Sequence, residues 1–103
     1  MNSDSVVVLI SYRAQPGRED AATRDLAALI ATVRSIEPDC LGITMLRDPS
    51  DPTRLLLHEL WTSREAYLGP HMQTPHLRAF RERAGAYFTG PPEIAFWYAV
   101  AAV

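Results

Sequence analysis

Residues 54–80, RLLLHELWTSREAYLGPHMQTPHLRAF, carry the pattern that decides the fold and the candidate site of this 103-residue chain. The leucine-rich run that ends in Trp61 predicts a strand. Thr74-Pro75 predicts a helix start, because threonine caps the helix and proline suits its first position. The reactive or aromatic side chains of the segment are Trp61, Tyr67, His71, His76 and Arg78. Rings and a guanidinium packed this closely after a strand end indicate a small-molecule pocket.

The chain before this segment predicts a strand, a helix and a second strand. Residues 6–14 are rich in β-branched side chains and predict a strand that ends before Pro16-Gly17. Residues 19–36 show apolar side chains at helical spacing, and Pro38 ends the helix. Residues 41–47 predict a second short strand, and residues 48–52, DPSDP, predict a turn. This second strand and the strand at 54–61 therefore form a hairpin.

The chain after Trp61 predicts two helical segments and a last strand. Ser63 is a candidate N-cap for a short helix through Tyr67, which Gly69-Pro70 interrupts. The helix that starts at Thr74-Pro75 places apolar residues inward at helical spacing, and the sequence Gly-Pro-Pro at 90–92 breaks the chain again. Residues 93–100 predict a final strand with aromatic residues in its middle.

The element order is strand, helix, strand, strand, helix, strand. This order predicts an α+β, ferredoxin-like βαββαβ fold with both helices on one face of a four-stranded antiparallel sheet. The other face of such a sheet is polar when it meets water. The last two predicted strands instead carry apolar residues on both faces, so we expect a homodimer whose sheets pack face to face. His58 lies on that outer face.

Composition bounds the function. The length predicts a single domain over residues 1–103. The net charge of −2 is scattered, so a nucleic-acid partner is not expected. All ten basic residues are arginine, which excludes lysine Schiff-base chemistry, and the single cysteine, Cys40, excludes an internal disulfide. The N-terminus lacks a signal-peptide pattern and no apolar run is long enough to span a bilayer, so we expect a cytoplasmic protein without a membrane partner.

Several short motifs together resemble the antibiotic biosynthesis monooxygenase (ABM) family, which includes proteins similar to quinol monooxygenases. The motifs are Pro16-Gly17, the Glu37-Pro38-Asp39-Cys40-Leu41-Gly42 corner, the Arg47-Asp48-Pro49 turn with Arg54, Glu59-x-Trp61, and Thr74-Pro75-His76-Leu77-x-Ala-Phe80. Their order covers about residues 5–100. The resemblance implies a dimeric α+β barrel.

The resemblance also implies a reaction. Monooxygenases of the family oxidise quinols and polycyclic phenols with O2 and without metal, flavin or haem, so we expect no cofactor. A phenolate reacts directly with oxygen, which requires aromatic walls, a cation near the phenolate and a base with a pKa near neutral. The catalytic residues expected here are His71 or His76 as base, Arg78 for the anion, and Trp61 and Tyr67 as hydrogen-bonding walls. The expected substrate-binding residues are Leu57, Trp61, Tyr67 and Phe80.

Two departures from the family pattern leave alternatives open. The anthrone-oxidising branch has asparagine where this chain has Leu57, which favours a broader quinol or polyphenol substrate. The haem-degrading branch has an asparagine on its first strand, which residues 6–14 lack. Haem binding through His76 and a non-catalytic small-molecule-binding or structural dimer remain as alternatives.

Each candidate residue also has a structural interpretation. Trp61 is equally typical of a core and of a pocket wall, Tyr67 is more typical of a core, and Arg78 is more typical of a solvated surface. His71 and His76 are five positions apart and have no acidic partner at metal-ligand spacing, so we expect no metal site. Glu59 is expected to be a buried carboxylate paired with an arginine such as Arg13 or Arg47.

Overall fold

The computed structural model describes residues 4–103 and shows the predicted ferredoxin-like α+β fold. The elements are β1 (Val6–Arg13), α1 (Glu19–Ile36), β2 (Cys40–Asp48), β3 (Asp51–Trp61), α2 (Arg64–Leu68), α3 (Pro75–Arg83) and β4 (Glu93–Trp97). Single 3₁₀ turns at Pro70–Gln73 and Ala84–Ala86 flank α3. The expectation about the N-terminal signal includes residues 1–3, which lie outside the described residues. Among residues 4–103, no helix has the length and apolarity needed to cross a membrane.

The four strands form one antiparallel sheet in the order β2-β3-β1-β4. The predicted bounds of α1 are confirmed. The predicted turn at 48–52 is too long, because Asp48 pairs with Asp51 and both strands run closer to the corner. The last strand ends at Trp97 rather than at residue 100, and Ala14 contributes only an isolated bridge to Phe88.

The two faces of the sheet differ in what covers them. The inner face packs on the helices, and its alternate residues on β1 and β3 are almost fully buried, as in Val6, Val8, Leu57 and Trp61. Within residues 4–103, no helix covers the outer face. Its register brings together Val7, Leu9, Leu56, Leu60, Leu46 and Trp97 around the exposed His58. Apolar residues on both faces of one sheet confirm the sequence pattern, and the homodimer stays a prediction.

Candidate active site

A cavity of about 460 Å³ opens between α3, the inner face of β1 and the edge strand β4. This volume lies within the range of small-molecule sites. Most of its wall is apolar, and exposed Gly90, Pro91 and Pro92 form part of its rim. The remaining lining residues are Ile10, Tyr12, Tyr67, Met72, Leu77, Phe80, Arg81, Ala84, Gly85, Phe88 and Ile94.

The sequence of α3 explains how one helix supplies much of this wall. Thr74 caps the helix by accepting a hydrogen bond from the Leu77 backbone N–H at 3.4 Å, and Pro75 takes the first turn. From there, the cavity-lining positions follow helical spacing, which places successive turns on one side. Those positions are Leu77, Phe80, Arg81 and Ala84.

Three polar side chains reach the cavity: Tyr12 from β1, Tyr67 from α2 and Arg81 from the last turn of α3. No hydrogen bond of either tyrosine hydroxyl is found within residues 4–103. Asp25 Oδ2 is the one fully buried side-chain N or O atom of these residues without a partner. Each hydroxyl therefore keeps some solvent-accessible surface. Burial, followed by the charge of Glu59, raises the pKa of Tyr12 and of Tyr67, so both stay protonated donors at neutral pH.

Arg81 has a weak partner. Its Nη2 donates to the Met72 thioether sulfur at 2.7 Å. A thioether is a poor acceptor. Among the described residues, no carboxylate lies within ion-pair distance of this guanidinium, whereas Arg13, Arg54 and Arg83 each have one. The cavity thus contains a cation that is not neutralised by a neighbouring side chain.

A closed ring cluster of Trp61, Tyr67 and His71 lies behind the cavity wall. The ring centroids of His71 are 4.6 Å from Trp61 and 4.9 Å from Tyr67, and Trp61 meets Tyr67 edge-on at 5.5 Å. Only Tyr67 belongs to both the ring cluster and the cavity lining. The cluster is tightly packed, with Trp61 at 1% exposure and His71 at 4%.

Glu37 binds both histidines of the candidate site. His71 Nδ1 donates to its two carboxylate oxygens at 2.9 and 3.0 Å, and His76 Nε2 donates at 2.6 Å. A carboxylate only accepts, so each ring has its proton on the nitrogen that faces Glu37. Burial lowers the pKa of His71, and the Glu37 hydrogen bond opposes that shift without cancelling it. His71 is therefore neutral at pH 7, with Nε2 as its acceptor atom.

Glu59 is a second buried carboxylate, at 4% exposure, and the expected arginine partner is wrong. The Trp61 indole N–H donates to Glu59 Oε1 at 2.8 Å. Arg13 instead bonds Asp51 and Thr53 at the hairpin end. Burial raises the pKa of Glu59 to about 7, against the indole hydrogen bond and with a smaller contribution from Glu37.

Comparison with known proteins decides the family. Residues 5–83 match the family model described as antibiotic biosynthesis monooxygenase. The chain belongs to this family. No curated protein sequence matches it.

Solved structures agree with the ABM assignment. PA3566 from Pseudomonas aeruginosa is 28% identical and superposes with a TM-score of 0.85, over 96% of this chain and 97% of that chain. A Caulobacter crescentus protein described as a "putative antibiotic biosynthesis monooxygenase" is 25% identical, with a TM-score of 0.85 over 96% and 92%. Rv0793 from Mycobacterium tuberculosis, at 24% identity and a TM-score of 0.83 over 96% and 98%, shares the fold.

Within this ABM fold, the residues predicted for the site separate into three groups. Tyr67 and Phe80 line the cavity. Arg78 lies on the exposed side of α3, outside the lining. The others lie in the core behind the wall and do not line the cavity: Leu57, Trp61, His71 and His76.

Sequence reasoning missed Tyr12, Arg81, Met72 and Glu37. Tyr12 continues the inward alternation of Val8 and Ile10 on β1, which was a usable signal. Arg81 follows Leu77 by one helical turn, which placed it on the inward side of α3. Glu37 is 34 residues from His71 in the chain, and no local pattern pairs them.

The described residues contain no group of three or more histidine, cysteine or acidic side chains arranged to hold a metal. Cys40 is buried, and burial raises the pKa of its thiol to about 11, so it is not a thiolate at neutral pH.

Proposed function

We propose that this chain is a cofactor-independent monooxygenase that oxidises a quinol or related polyphenolic aromatic with O2 in the cytoplasm. The observation that carries the proposal is the apolar cavity that Tyr12, Tyr67 and Arg81 line, where neither tyrosine hydroxyl has a hydrogen-bond partner among residues 4–103. The ABM family and its relatives support the class of reaction.

The cavity chemistry fits an aromatic that must lose a proton. Protonated Tyr12 and Tyr67 donate hydrogen bonds to a phenolate oxygen, and Arg81 stabilises its charge within apolar walls where such interactions are strong. A ring carbon of the quinol then bonds to one atom of O2. The O–O bond breaks, the ring leaves as a hydroxyquinone and the second oxygen atom leaves as water. The quinol supplies the electrons.

Two groups compete as the final proton acceptor, and because neither lines the cavity, the ligand's proton is relayed through Tyr67, which lies between the cavity and the ring cluster. His71, one ring layer behind Tyr67, is neutral and has Nε2 free of any hydrogen bond found in residues 4–103. Glu59 couples electrostatically to both cavity tyrosines and has its pKa near neutral. The pH profile of the rate distinguishes them. A Glu59 base gives a rate that rises through about pH 7, whereas a His71 base, with its lowered pKa, gives a rate already on its plateau there.

Oxygen consumption tests the proposed function directly. Chelator-treated protein is mixed with menadiol, and O2 uptake is compared with a protein-free blank at the same pH, because quinols also oxidise spontaneously. We expect O2 uptake above the blank for the parent protein and a lower uptake for Tyr67→Phe. Arg78→Gln should leave the uptake unchanged, because Arg81 is the cation that lines the cavity. Rates equal to the blank across a panel of quinols and anthrones contradict the proposal.

We also propose that two copies pair through the outer sheet face. This face presents Leu46 at 45% exposure and Trp97 at 60% exposure beside half-buried leucines, and a lone soluble domain leaves few such patches uncovered. Light scattering at micromolar concentration should show a dimer. Leu56→Glu places two charges in that interface and should give a monomer, whereas a monomeric parent protein would contradict the pairing.

A non-catalytic small-molecule-binding or structural dimer is the second candidate. It is favoured by the hydrogen bonds that already engage the candidate rings: His71 and His76 are bonded to Glu37, and Trp61 is bonded to Glu59. Ligand binding without O2 uptake would select it. Haem binding ranks third, because the Nε2 of His76 is bonded to Glu37; a Soret band on haem titration would support it.

A further inference from the structure

We propose that the cavity is built for an aromatic hydroxy acid: a flat ring system with a carboxylate that binds Arg81 and a neighbouring hydroxyl or keto oxygen that binds the tyrosines. This inference rests on the proposed function and narrows its substrate class from quinols in general to those that carry an acid group.

The guanidinium of Arg81 is the evidence for the acid group. It lines an apolar cavity, and its one hydrogen bond within residues 4–103 goes to the Met72 sulfur. Arginine's planar fork matches a carboxylate with two parallel N–H donors, and a charge-assisted pair is about twice as strong as a neutral one. A ligand carboxylate therefore replaces a poor acceptor with the acceptor that this side chain prefers.

The two tyrosines are the evidence for the second polar group. Tyr12 and Tyr67 come from different elements, but both line the cavity that Arg81 also lines. One small molecule in this cavity can therefore contact all three side chains. Neither hydroxyl has a partner among residues 4–103, so both suit an oxygen acceptor on the ligand.

The rest of the cavity wall indicates what kind of ring the ligand carries. Apart from these three residues, the lining is hydrocarbon, thioether or proline, including Ile10, Leu77 and Phe80. Aromatic walls favour a planar apolar ring over a sugar or a nucleotide. A volume of about 460 Å³ leaves room for two or three fused rings with their substituents.

Calorimetric titration with three stable probes tests the ligand class without any oxidation. The probes are 1-hydroxy-2-naphthoate, 1-naphthol and 2-naphthoate at pH 7. We expect the hydroxy acid to bind about tenfold or more tightly than 1-naphthol, since a hydrogen bond to a charged group is worth more than a neutral one. Arg81→Gln should remove this preference, and Arg78→Gln, the exposed control on the same helix, should keep it.

The proposed contact between the tyrosines and a second ligand oxygen is tested by comparing two of the probes. Tyr12→Phe and Tyr67→Phe should weaken 1-hydroxy-2-naphthoate about fivefold each and leave 2-naphthoate unchanged, because only the former offers a second oxygen. Equal affinity of the unmodified protein for 1-naphthol and the hydroxy acid overturns the inference, as does a preference that survives in Arg81→Gln. Absence of binding by all three probes also overturns it.

The outcomes separate this inference from the proposed oxidation. If the protein binds the hydroxy acid selectively but takes up no O2 with any quinol, the ligand class is supported and the proposed catalysis is contradicted. If it takes up O2 with menadiol but shows no preference for an acid, the catalysis is supported and the ligand class is contradicted.

Discussion

The cavity and the ring cluster share Tyr67 but differ in how their polar groups are bonded. Behind the cavity wall, Trp61 donates to Glu59, and His71 and His76 donate to Glu37, so each of these three rings has an N–H bonded to a carboxylate inside the protein. At the cavity, neither tyrosine hydroxyl has a hydrogen-bond partner among residues 4–103, and Arg81 donates only to a thioether. Satisfied buried networks hold a core together, whereas unpaired donors are available to a ligand.

This difference predicts that changes in the ring cluster cost stability and that changes at the cavity cost binding. Substitutions in each region test this difference.

Trp61→Ala should destabilise the fold by about 3–5 kcal/mol, because it leaves a large cavity and removes the N–H that Glu59 accepts. Urea unfolding measures the change, with Leu68→Ala, at 47% exposure, as a control expected to change little. Unfolding midpoints that coincide for Trp61→Ala and the parent would mean that the cluster does not hold the core.

Glu59→Gln should stabilise the fold more at pH 8 than at pH 4. The difference between its two effects on the free energy of unfolding should be roughly 3 kcal/mol. The folded pKa is about 7 against 4.5 for the free group, so the folded state binds the proton more tightly. The parent protein therefore loses stability as pH rises from about 4.5 to 7, and a glutamine, which cannot ionise, does not. The measurement is the variant-minus-parent difference in unfolding free energy at the two pH values.

Glu82→Gln on the exposed face of α3 is the matched control for Glu59→Gln. It should show no comparable pH-dependent difference. A pH-independent offset for Glu59→Gln would indicate that the gain comes from packing rather than from ionisation.

Tyr12→Phe should lower the rate of quinol oxidation about fivefold, because a cavity hydrogen bond of about 1 kcal/mol is lost. The free energy of unfolding should stay level, since the hydroxyl has no partner found within the described chain. Oxygen uptake and urea unfolding are measured on the same preparation. A drop in the free energy of unfolding without a change in rate would mean that Tyr12 supports the fold rather than the reaction.

Arg81→Gln and Arg78→Gln should each change stability by less than about 0.5 kcal/mol, since both side chains are exposed and neither has an acidic partner in the described structure. Thermal unfolding measures this smallest effect. A large loss in Arg81→Gln would assign the Met72 contact a structural role.

The sequence predicted the fold better than it predicted the site, for a physical reason. Periodicity is local, so the apolar stripe gave the bounds of α1 and the alternation on β3 identified its inner face. Apolar residues continue to residue 100, so the sequence predicts a final strand of that length, yet pairing with β1 ends at Trp97. Apolar composition alone does not supply a strand partner.

The site depends on contacts between distant segments. Trp61, His71 and His76 stand close in the sequence, but they turn toward Glu37 and Glu59 rather than toward the cavity. Tyr12 and Arg81 come from opposite ends of the chain, and only the packing of α3 on the sheet brings them to one cavity. Arg78, which the family pattern indicates, lies about one helical turn from Arg81, the arginine that lines the cavity.

The rim of the cavity has a consequence for kinetics. Gly90 has a φ of 70°, a left-handed conformation that glycine adopts at little cost, and the two prolines that follow it have their φ angles locked by their rings. We expect the two prolines to limit how far this rim moves when a ligand arrives. Association should therefore be a single step whose observed rate rises linearly with ligand concentration, without the plateau that marks a slow gating motion.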